Sequence, residues 1–216
     1  MKIFNSIGRS FTVAAMSLAF VSGCAQVSNQ VDSAQLSVDV DGMVLQPEYL
    51  PTLVYVRPDA PTLENYTQFM MMPIAINDAN PNIKAVSVED LTEMQQYFEN
   101  VMATELNKSG YQLVTEASKE TMIIAFIITD MKIPTAATNV SMLVVPGLST
   151  SVGEVTVEAI LSDSMSNQVN AVVLEGSRGS YMFNGNPLST TSDVKAAFDN
   201  WAVGFTNALN IAHGKK

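Results

Sequence analysis

The residue best suited to covalent chemistry is Cys24, the one cysteine in a sequence of 216 residues. Its sulfur, as the thiolate, is a strong nucleophile that readily forms thioethers. An apolar run of 11 residues, Phe11–Val21, ends shortly before it, and the two residues between are the small Ser22 and Gly23. Small residues let a protease approach the backbone. We therefore expect modification of the sulfur and cleavage of the chain on the N-terminal side of Cys24.

The first 23 residues have the layout of a secretory signal peptide. Lys2 and Arg9 give a positive start, and no acidic residue occurs before Asp32. The apolar run is too short for a membrane-spanning helix, which needs roughly 20 apolar residues. The sequence therefore predicts residues 1–23 as a signal peptide that is removed.

The four residues Val21-Ser22-Gly23-Cys24 resemble a bacterial lipobox. The resemblance implies a diacylglyceryl group on the Cys24 sulfur, cleavage between Gly23 and Cys24, and a fatty acyl group such as palmitate on the new amino group. One acyl chain holds a protein weakly and two or more hold it firmly. In similar lipoproteins an aspartate after the cysteine signals retention in the inner membrane, so Ala25 and Gln26 indicate the outer membrane. We expect the domain to face the periplasm, and exposure at the cell surface stays open. The alternative is an ordinary signal peptide ending near a free cysteine.

Serine and histidine catalysis finds little support in the sequence. His213 is the only histidine and lies near the chain end, where we expect a helix terminus or a solvated, fraying tail. Ser149, Ser151 and Ser180 all lie outside the Gly-x-Ser-x-Gly pattern of serine hydrolases. A serine hydrolase is therefore disfavoured.

Three acids could form a carboxylate cluster for acid–base catalysis or cation binding, namely Asp130, Glu158 and Asp163. Glu158 is predicted on a strand and Asp163 in a turn, where solvent-facing acids are common. The methionines at 70–72 could bind a soft metal, but successive strand residues face opposite sides, which favours core packing. The sequence predicts no catalytic set, no metal and no cofactor, and we interpret the protein as non-enzymatic.

The charge of the chain limits its partners. Residues 1–23 contain two of the 11 basic residues and no acidic one, so their removal changes the formal net charge from −10 to −12. The phosphate backbone of a nucleic acid repels such an acidic chain, so nucleic acid is excluded as a partner. The hydrophobic fraction of 47% is typical of a folded domain.

The elements that would carry these residues alternate between strand and helix patterns. Apolar residues recur at spacings of three and four over 88–108 and 191–212, which predicts two amphipathic helices. The almost continuously apolar 122–129 predicts a central strand buried on both faces. Two alternating segments, 155–161 and 169–174, predict a hairpin.

The predicted fold class is therefore α+β, a mainly antiparallel sheet of five to six strands with both helices packed on one face. We assign residues 24–50 to a flexible tether, because 25–35 are rich in Ser, Gln and Asn, and residues 51–213 to a single globular domain.

Residues 133–153 form a stretch of 21 residues without a charged side chain. Long loops in compact domains are often functional. A neutral, apolar loop on an acidic protein is a candidate contact surface for lipid or protein, with Leu143, Val144, Val145 and Leu148 as its contact residues. The alternative is a crossover buried in the core.

Three motifs occur in a recognisable order: the segment 57–66 followed by an apolar strand and Pro73, the strand 155–163, and the helix containing Phe198-Asp199-Asn200-Trp201-Ala202. Together with the lipobox they resemble a proteobacterial lipoprotein family, the domain of unknown function DUF3313, over residues 40–212. The resemblance implies an outer-membrane lipoprotein domain and supplies no active-site residues.

These observations favour a non-enzymatic binding or assembly module on the periplasmic side of the outer membrane. Its partners would be the membrane, through Cys24, and another envelope protein. Two alternatives remain open, a carrier of lipid or another amphiphile and an envelope hydrolase using Glu158 and Asp163. The sequence leaves the oligomeric state and the partner's identity open.

Overall fold

The computed structural model describes residues 27–29, 31–133, 153–178 and 191–215. Nine strands in these residues form one sheet. They are β1 (Val27–Asn29), β2 (Val44–Leu45), β3 (Leu53–Val56), β4 (Gln68–Met71), β5 (Ala75–Ile76), β6 (Gln112–Leu113), β7 (Thr121–Lys132), β8 (Glu154–Asp163) and β9 (Val169–Arg178). The described helices are α1 (Pro81–Lys84), α2 (Val88–Lys108) and α3 (Ser192–Ala212).

The sheet is mixed and mostly antiparallel. Its order is β2-β3-β9-β8-β7-β4-β6, with β1 also paired to β9 and β5 also paired to β7. The pairs that involve β4, β5 and β6 are parallel, and the others are antiparallel. The predicted α+β class and hairpin are confirmed. The predicted strand count is too low, because strands of two or three residues are too short to show alternation.

Both long helices pack on the same face of the sheet, as predicted. The Ser87 hydroxyl accepts from the Asp90 backbone N–H at 3.1 Å and begins α2. Along α2 and α3 the residues of one stripe are buried against the inward side chains of β7, β8 and β9. Phe98 of α2 stacks on Phe198 of α3 with ring centroids 4.4 Å apart. This face, the inner face, holds the main core.

The other face of the sheet, the outer face, lacks this cover. On β7, Phe126 and its inward neighbours are fully buried, whereas Ile123, Ala125 and Ile127 on the outer face are only partly buried. The prediction that this strand is buried on both faces is therefore wrong. A continuous apolar run does not reveal that both long helices lie on one side.

A segment near the N-terminus covers part of the outer face. Residues 31–45, here called the strap, contribute Val31, Leu36 and Leu45, which pack with Leu53 and Leu174. With β1 and β2 also in the sheet, the ordered structure begins well before residue 50. The predicted tether boundary is therefore too late, because a few scattered apolar residues are enough to dock a polar segment.

Candidate functional site

The three acids proposed for catalysis serve separate structural contacts. Asp130 accepts from the Asn82 side-chain amide at 2.9 and 3.2 Å. Glu158 and Asp163 differ in parity along β8, so they face opposite sides of the sheet. In the described part of the chain, no group of three or more His, Cys, Asp or Glu side chains could hold a metal ion.

Asp163 organises the turn between β8 and β9. One carboxylate oxygen accepts from the backbone N–H groups of Met165 and Ser166 at 3.1 and 2.8 Å. The other accepts from the Tyr66 hydroxyl at 3.1 Å, and that hydroxyl accepts from the Asn170 amide at 2.9 Å. The Ser166 backbone hydrogen bond holds the pKa of Asp163 below its usual value. An ionised, fully engaged carboxylate of this kind fits a structural role.

Glu158 is fully buried on the outer face, which corrects the prediction that it faces solvent. The backbone N–H of Ser37, in the strap, donates to both of its carboxylate oxygens at 2.9 and 3.1 Å. The sequence shows Glu158 only as one acid in an alternating strand. It gives no sign that a segment 121 residues earlier covers it.

His213 caps the C-terminus of α3 and is held by the surrounding backbone. Its Nδ1 lies 2.8 Å from the carbonyl oxygen of Leu209, and its Nε2 lies 2.9 Å from that of Tyr66. Its ring also packs edge-on against Tyr111, 5.4 Å away. The expected helix terminus is therefore confirmed, and the alternative of a solvated, fraying tail is wrong at this residue. Ser149, Ser151 and Ser180 lie outside the described residues.

Glu175 is the unusual acid that the sequence analysis missed. It shares the inner face with Ala171 and Val173, and it pairs with Val157 across β8. Burial raises the pKa of its carboxyl group to about 7, since the charged form loses hydration. Among the described residues, no hydrogen bond or ion pair reaches this carboxylate. The signal was present in the sequence, because Glu175 occupies an inward position of an alternating strand.

Methionines 70–72 divide between the two sides of the sheet, as expected for strand residues. Met71 packs against the main core, Met70 is partly buried, and Met72 is 42% exposed. They share no single site that could enclose a metal ion.

A small apolar cavity lies between α3 and the inner face. Its lining includes Val54, Ala171, Val173, Trp201 and Phe205. Its volume is about 20 Å³, which is room for little more than one water molecule. Trp201 is 6% exposed, and its indole N–H has no acceptor among the described residues. As it stands, the cavity is far too small for an acyl chain.

The start of β1 lies at one end of the sheet, in a row that crosses four strands. Val27 pairs with Arg178, Arg178 with Glu154, and Glu154 with Lys132. We call these four residues the Val27 row. The Lys132 ammonium lies 2.9 Å from a carboxylate oxygen of Glu154, which closes the row on the β7 side.

Both residue sets singled out from the sequence lie outside the described residues but connect to this row. Cys24 precedes Val27 by three positions. Leu143, Val144, Val145 and Leu148 belong to the connection that leaves β7 after Lys132 and returns before Glu154. None of the described helices is long and apolar enough to cross a membrane.

Comparisons with known proteins support one family. Residues 43–205 match the family described as protein of unknown function, DUF3313, which confirms the predicted resemblance. No curated protein matches the chain. Among solved structures, the PelC dodecamer from Paraburkholderia phytofirmans is similar, with a TM-score of 0.44, 12% identity and coverage of 73% of this chain and 96% of that one. Protein XCC0632 from Xanthomonas campestris has a TM-score of 0.36, 12% identity and coverage of 69% and 86%.

Proposed function

The chain belongs to the DUF3313 family of proteins of unknown function, and we propose that it is a lipid-anchored, non-enzymatic binding or assembly module of the bacterial envelope. Acyl groups on Cys24 would hold it at the outer membrane, facing the periplasm. The observation that carries the proposal is the sequence Val21-Ser22-Gly23-Cys24 after a short apolar run.

Intact-mass measurement tests the anchor directly. The full chain is produced in a bacterium that processes lipoproteins and is extracted from membranes with detergent. We expect a mature protein that begins at Cys24 and carries a diacylglyceryl group and an amide-linked acyl group. The Cys24→Ser variant should remain uncleaved and unacylated. An unmodified Cys24 in the mature protein would refute the anchor.

The non-enzymatic part of the proposal is supported by what the candidate acids and the histidine do. Glu158 binds the strap, Asp163 holds a turn, and His213 caps α3. If these residues served an envelope hydrolase, replacing Glu158 and Asp163 would remove turnover from a folded protein. We expect instead that their variants alter the free energy of unfolding and that no hydrolysis of envelope substrates depends on them.

The alternative of an amphiphile carrier gains no support from the apolar cavity under α3, which is too small for a lipid chain. Native mass spectrometry of residues 27–216, which lack the anchor, checks this conclusion. A lipid that co-purifies in stoichiometric amount would restore the carrier hypothesis.

We propose that Leu143, Val144, Val145 and Leu148 supply a contact surface for lipid or for an envelope protein. Deleting residues 138–148 should weaken membrane or partner association while urea unfolding stays cooperative. A loss of cooperativity would instead indicate that the segment belongs to the core.

A further inference from the structure

We propose that the Val27 end of the sheet faces the bilayer at contact distance, so that the domain sits on the membrane rather than hanging from a long tether. This inference rests on the proposed acylation of Cys24. The partner that it assigns to this end of the molecule is a lipid surface. The argument depends on the length of the link, on the direction of the strands and on the distribution of charge.

The link between the proposed anchor and the sheet is very short. Only Ala25 and Gln26 separate Cys24 from Val27, the first residue of β1. At about 3.3–3.6 Å per residue, three steps of chain span at most about 11 Å. An acylated Cys24 lies at the membrane surface, so Val27 is held within that distance of it.

The strand directions then define which end of the sheet is near the membrane. The Val27 row contains the start of β1, the end of β9, the start of β8 and the end of β7. The turn between β8 and β9, with Met165 at its tip, lies at the opposite end of β8. Because β8 has ten residues at about 3.3 Å each, this turn is about 30 Å from the row.

Two connections leave and re-enter the domain at the Val27 row, and neither carries a charged side chain. One is 133–153, between β7 and β8, and the other is 179–192, between β9 and the first residue of α3. Their 21 and 14 residues contain no Asp, Glu, Lys or Arg, although such residues make up 15% of the whole sequence. The second connection includes the apolar Tyr181, Met182 and Phe183.

The start of β8 and the first turn of α3 lie next to each other, so the two connections end close together. The backbone N–H of Gly153 donates to the Asp193 carboxylate at 3.1 Å, so the first turn of α3 also lies at this end. The opposite end of the sheet is acidic, with Asp59 and Glu64 after β3, Glu120 before β7 and Asp163 as the last residue of β8. At the Val27 end the charges of Lys132, Glu154, Arg178 and Asp193 balance one another. An end without net charge matches a zwitterionic lipid surface, which an acidic face would contact poorly.

Charged residues on the far side of β7 limit the part of this edge that can contact lipid. Asp78 and Lys84 follow β5, which pairs with β7 on the side away from β8. The proposed membrane contact is therefore confined to the part of the edge between β1 and β7.

Lipid-borne quenching of site-specific fluorophores tests the orientation. Acylation of Cys24 leaves no other thiol in the chain, so single cysteines can be labelled cleanly. The Lys132→Cys variant places a label in the Val27 row, and the Met165→Cys variant places one at the opposite end, where Met165 is 59% exposed. The acylated proteins are reconstituted into phosphatidylethanolamine–phosphatidylcholine vesicles that contain headgroup-quencher lipids. We expect loss of fluorescence for the Lys132→Cys label and none for the Met165→Cys label.

A linker variant provides the matched control. Inserting about 20 Gly and Ser residues between Gln26 and Val27 gives the link an average span of about 25 Å and leaves the sheet intact. This variant should remain acylated, but its Lys132→Cys label should lose most of its quenching. Unchanged quenching would overturn the role of the short link.

Vesicle flotation separates failure of this inference from failure of the proposed anchor. If the protein does not float with vesicles and its mass shows no acyl groups, the anchor and this inference both fall. If it floats but the Met165→Cys label is quenched as strongly as the Lys132→Cys label, or neither is quenched, the anchor stands and the orientation is wrong.

Discussion

The backbone N–H of Ser37 donates to both carboxylate oxygens of Glu158, at 2.9 and 3.1 Å, and so fastens the strap to the middle of β8. Replacing Glu158 with Ala removes this acceptor and leaves a polar backbone group without its partner. We expect Glu158→Ala to lower the free energy of unfolding by about 2 kcal/mol, as for a lost hydrogen bond to a charged group.

Urea unfolding of the Glu158 variants measures this effect. Glu158→Gln keeps an acceptor oxygen of the same reach and should lose clearly less stability than Glu158→Ala. Limited proteolysis adds an independent readout, because a released strap should be cleaved between residues 37 and 43. Equal proteolytic resistance in wild type and Glu158→Ala would show that the hydrogen bond does not hold the strap.

Glu175 should make stability depend on pH around neutrality. Its pKa is raised to about 7, from 4.5, so the folded state binds a proton more tightly than the unfolded chain. Its stabilising contribution is fully present below about pH 4.5 and is lost as pH rises through about 7. At about 1.4 kcal/mol per pKa unit, the rise from 4.5 to about 7 corresponds to a total change of about 3.5 kcal/mol.

Glu175→Gln should remove this slope and be more stable than wild type at pH 8. The measurement is the urea midpoint at several values between pH 4.5 and 8. Glu116→Gln removes one negative charge from an exposed position and is the control. A wild-type slope that persists in Glu175→Gln would mean that another group titrates.

Trp201 should contribute through its ring and not through its N–H. The ring stacks with Phe205 and meets Phe126 and Phe98 edge-on, while the buried N–H lacks an acceptor among the described residues. Trp201→Phe should therefore cost little, because an unsatisfied donor is removed along with some packing. Trp201→Ala should cost about 3–5 kcal/mol.

Thermal and urea unfolding of the two Trp201 variants separate these contributions. If Trp201→Phe loses nearly as much stability as Trp201→Ala, the N–H has a partner outside the described residues.

His213 should stabilise the contact between α3 and the segment that leads into β4. Its ring nitrogens lie at hydrogen-bond distance from the carbonyl oxygens of Leu209 and Tyr66. His213→Ala should lower the free energy of unfolding by about 1–2 kcal/mol, because it removes the hydrogen bond that the ring N–H donates to one of these carbonyl oxygens and the packing of the ring on Tyr111. Ile211→Ala, on the same helical turn and 40% exposed, should be nearly neutral. If urea unfolding shows equal losses of stability for His213→Ala and Ile211→Ala, the contacts of the His213 ring do not stabilise the fold.

Gly153 allows the first turn of α3 to approach the start of β8. A Cβ at this position would lie 2.9 Å from the Cβ of Asp193 and 3.2 Å from Val194 Cγ2. Gly153→Ala should therefore cost about 1–3 kcal/mol through overpacking. A double-mutant cycle with Asp193→Gly, which removes the nearest atom, should recover part of the loss. If the stability losses of Gly153→Ala and Asp193→Gly simply add, the clash with the Asp193 Cβ is not the cause of the destabilisation.

The helices were predictable because their signals are long and local. In α2 the cap at Ser87 and the stripe containing Met94, Phe98 and Met102 both lie within the helix or next to it. The packing of both long helices on one face follows from having only one apolar stripe on each. The hairpin of β8 and β9 was also predictable, since ten-residue strands show their alternation.

The contacts made by the N-terminal segment could not be predicted in this way. β1 and β2 have three and two residues. In the strap, apolar and polar residues alternate over 36–41, which predicts a short strand, but the structure forms none there. The positions of these segments depend on apolar surface of β9 and on Glu158, far away in sequence. Glu175 is a buried acid that the sequence could have revealed, and Glu158 is one that it could not. Parity along β9 marks Glu175 as inward, but nothing local shows that Glu158 is covered.

The pairing of β1 with β9 also sets an order of events during synthesis. Val27 must wait for Arg178 before it can join the sheet, and Ser37 must wait for Glu158. At about 5–20 residues per second, the ribosome needs about 8–30 s to make that intervening chain. The sheet therefore cannot close around β1 and the strap before the chain through β9 has been made. The N-terminal stretch stays accessible to other proteins until its partner strand exists.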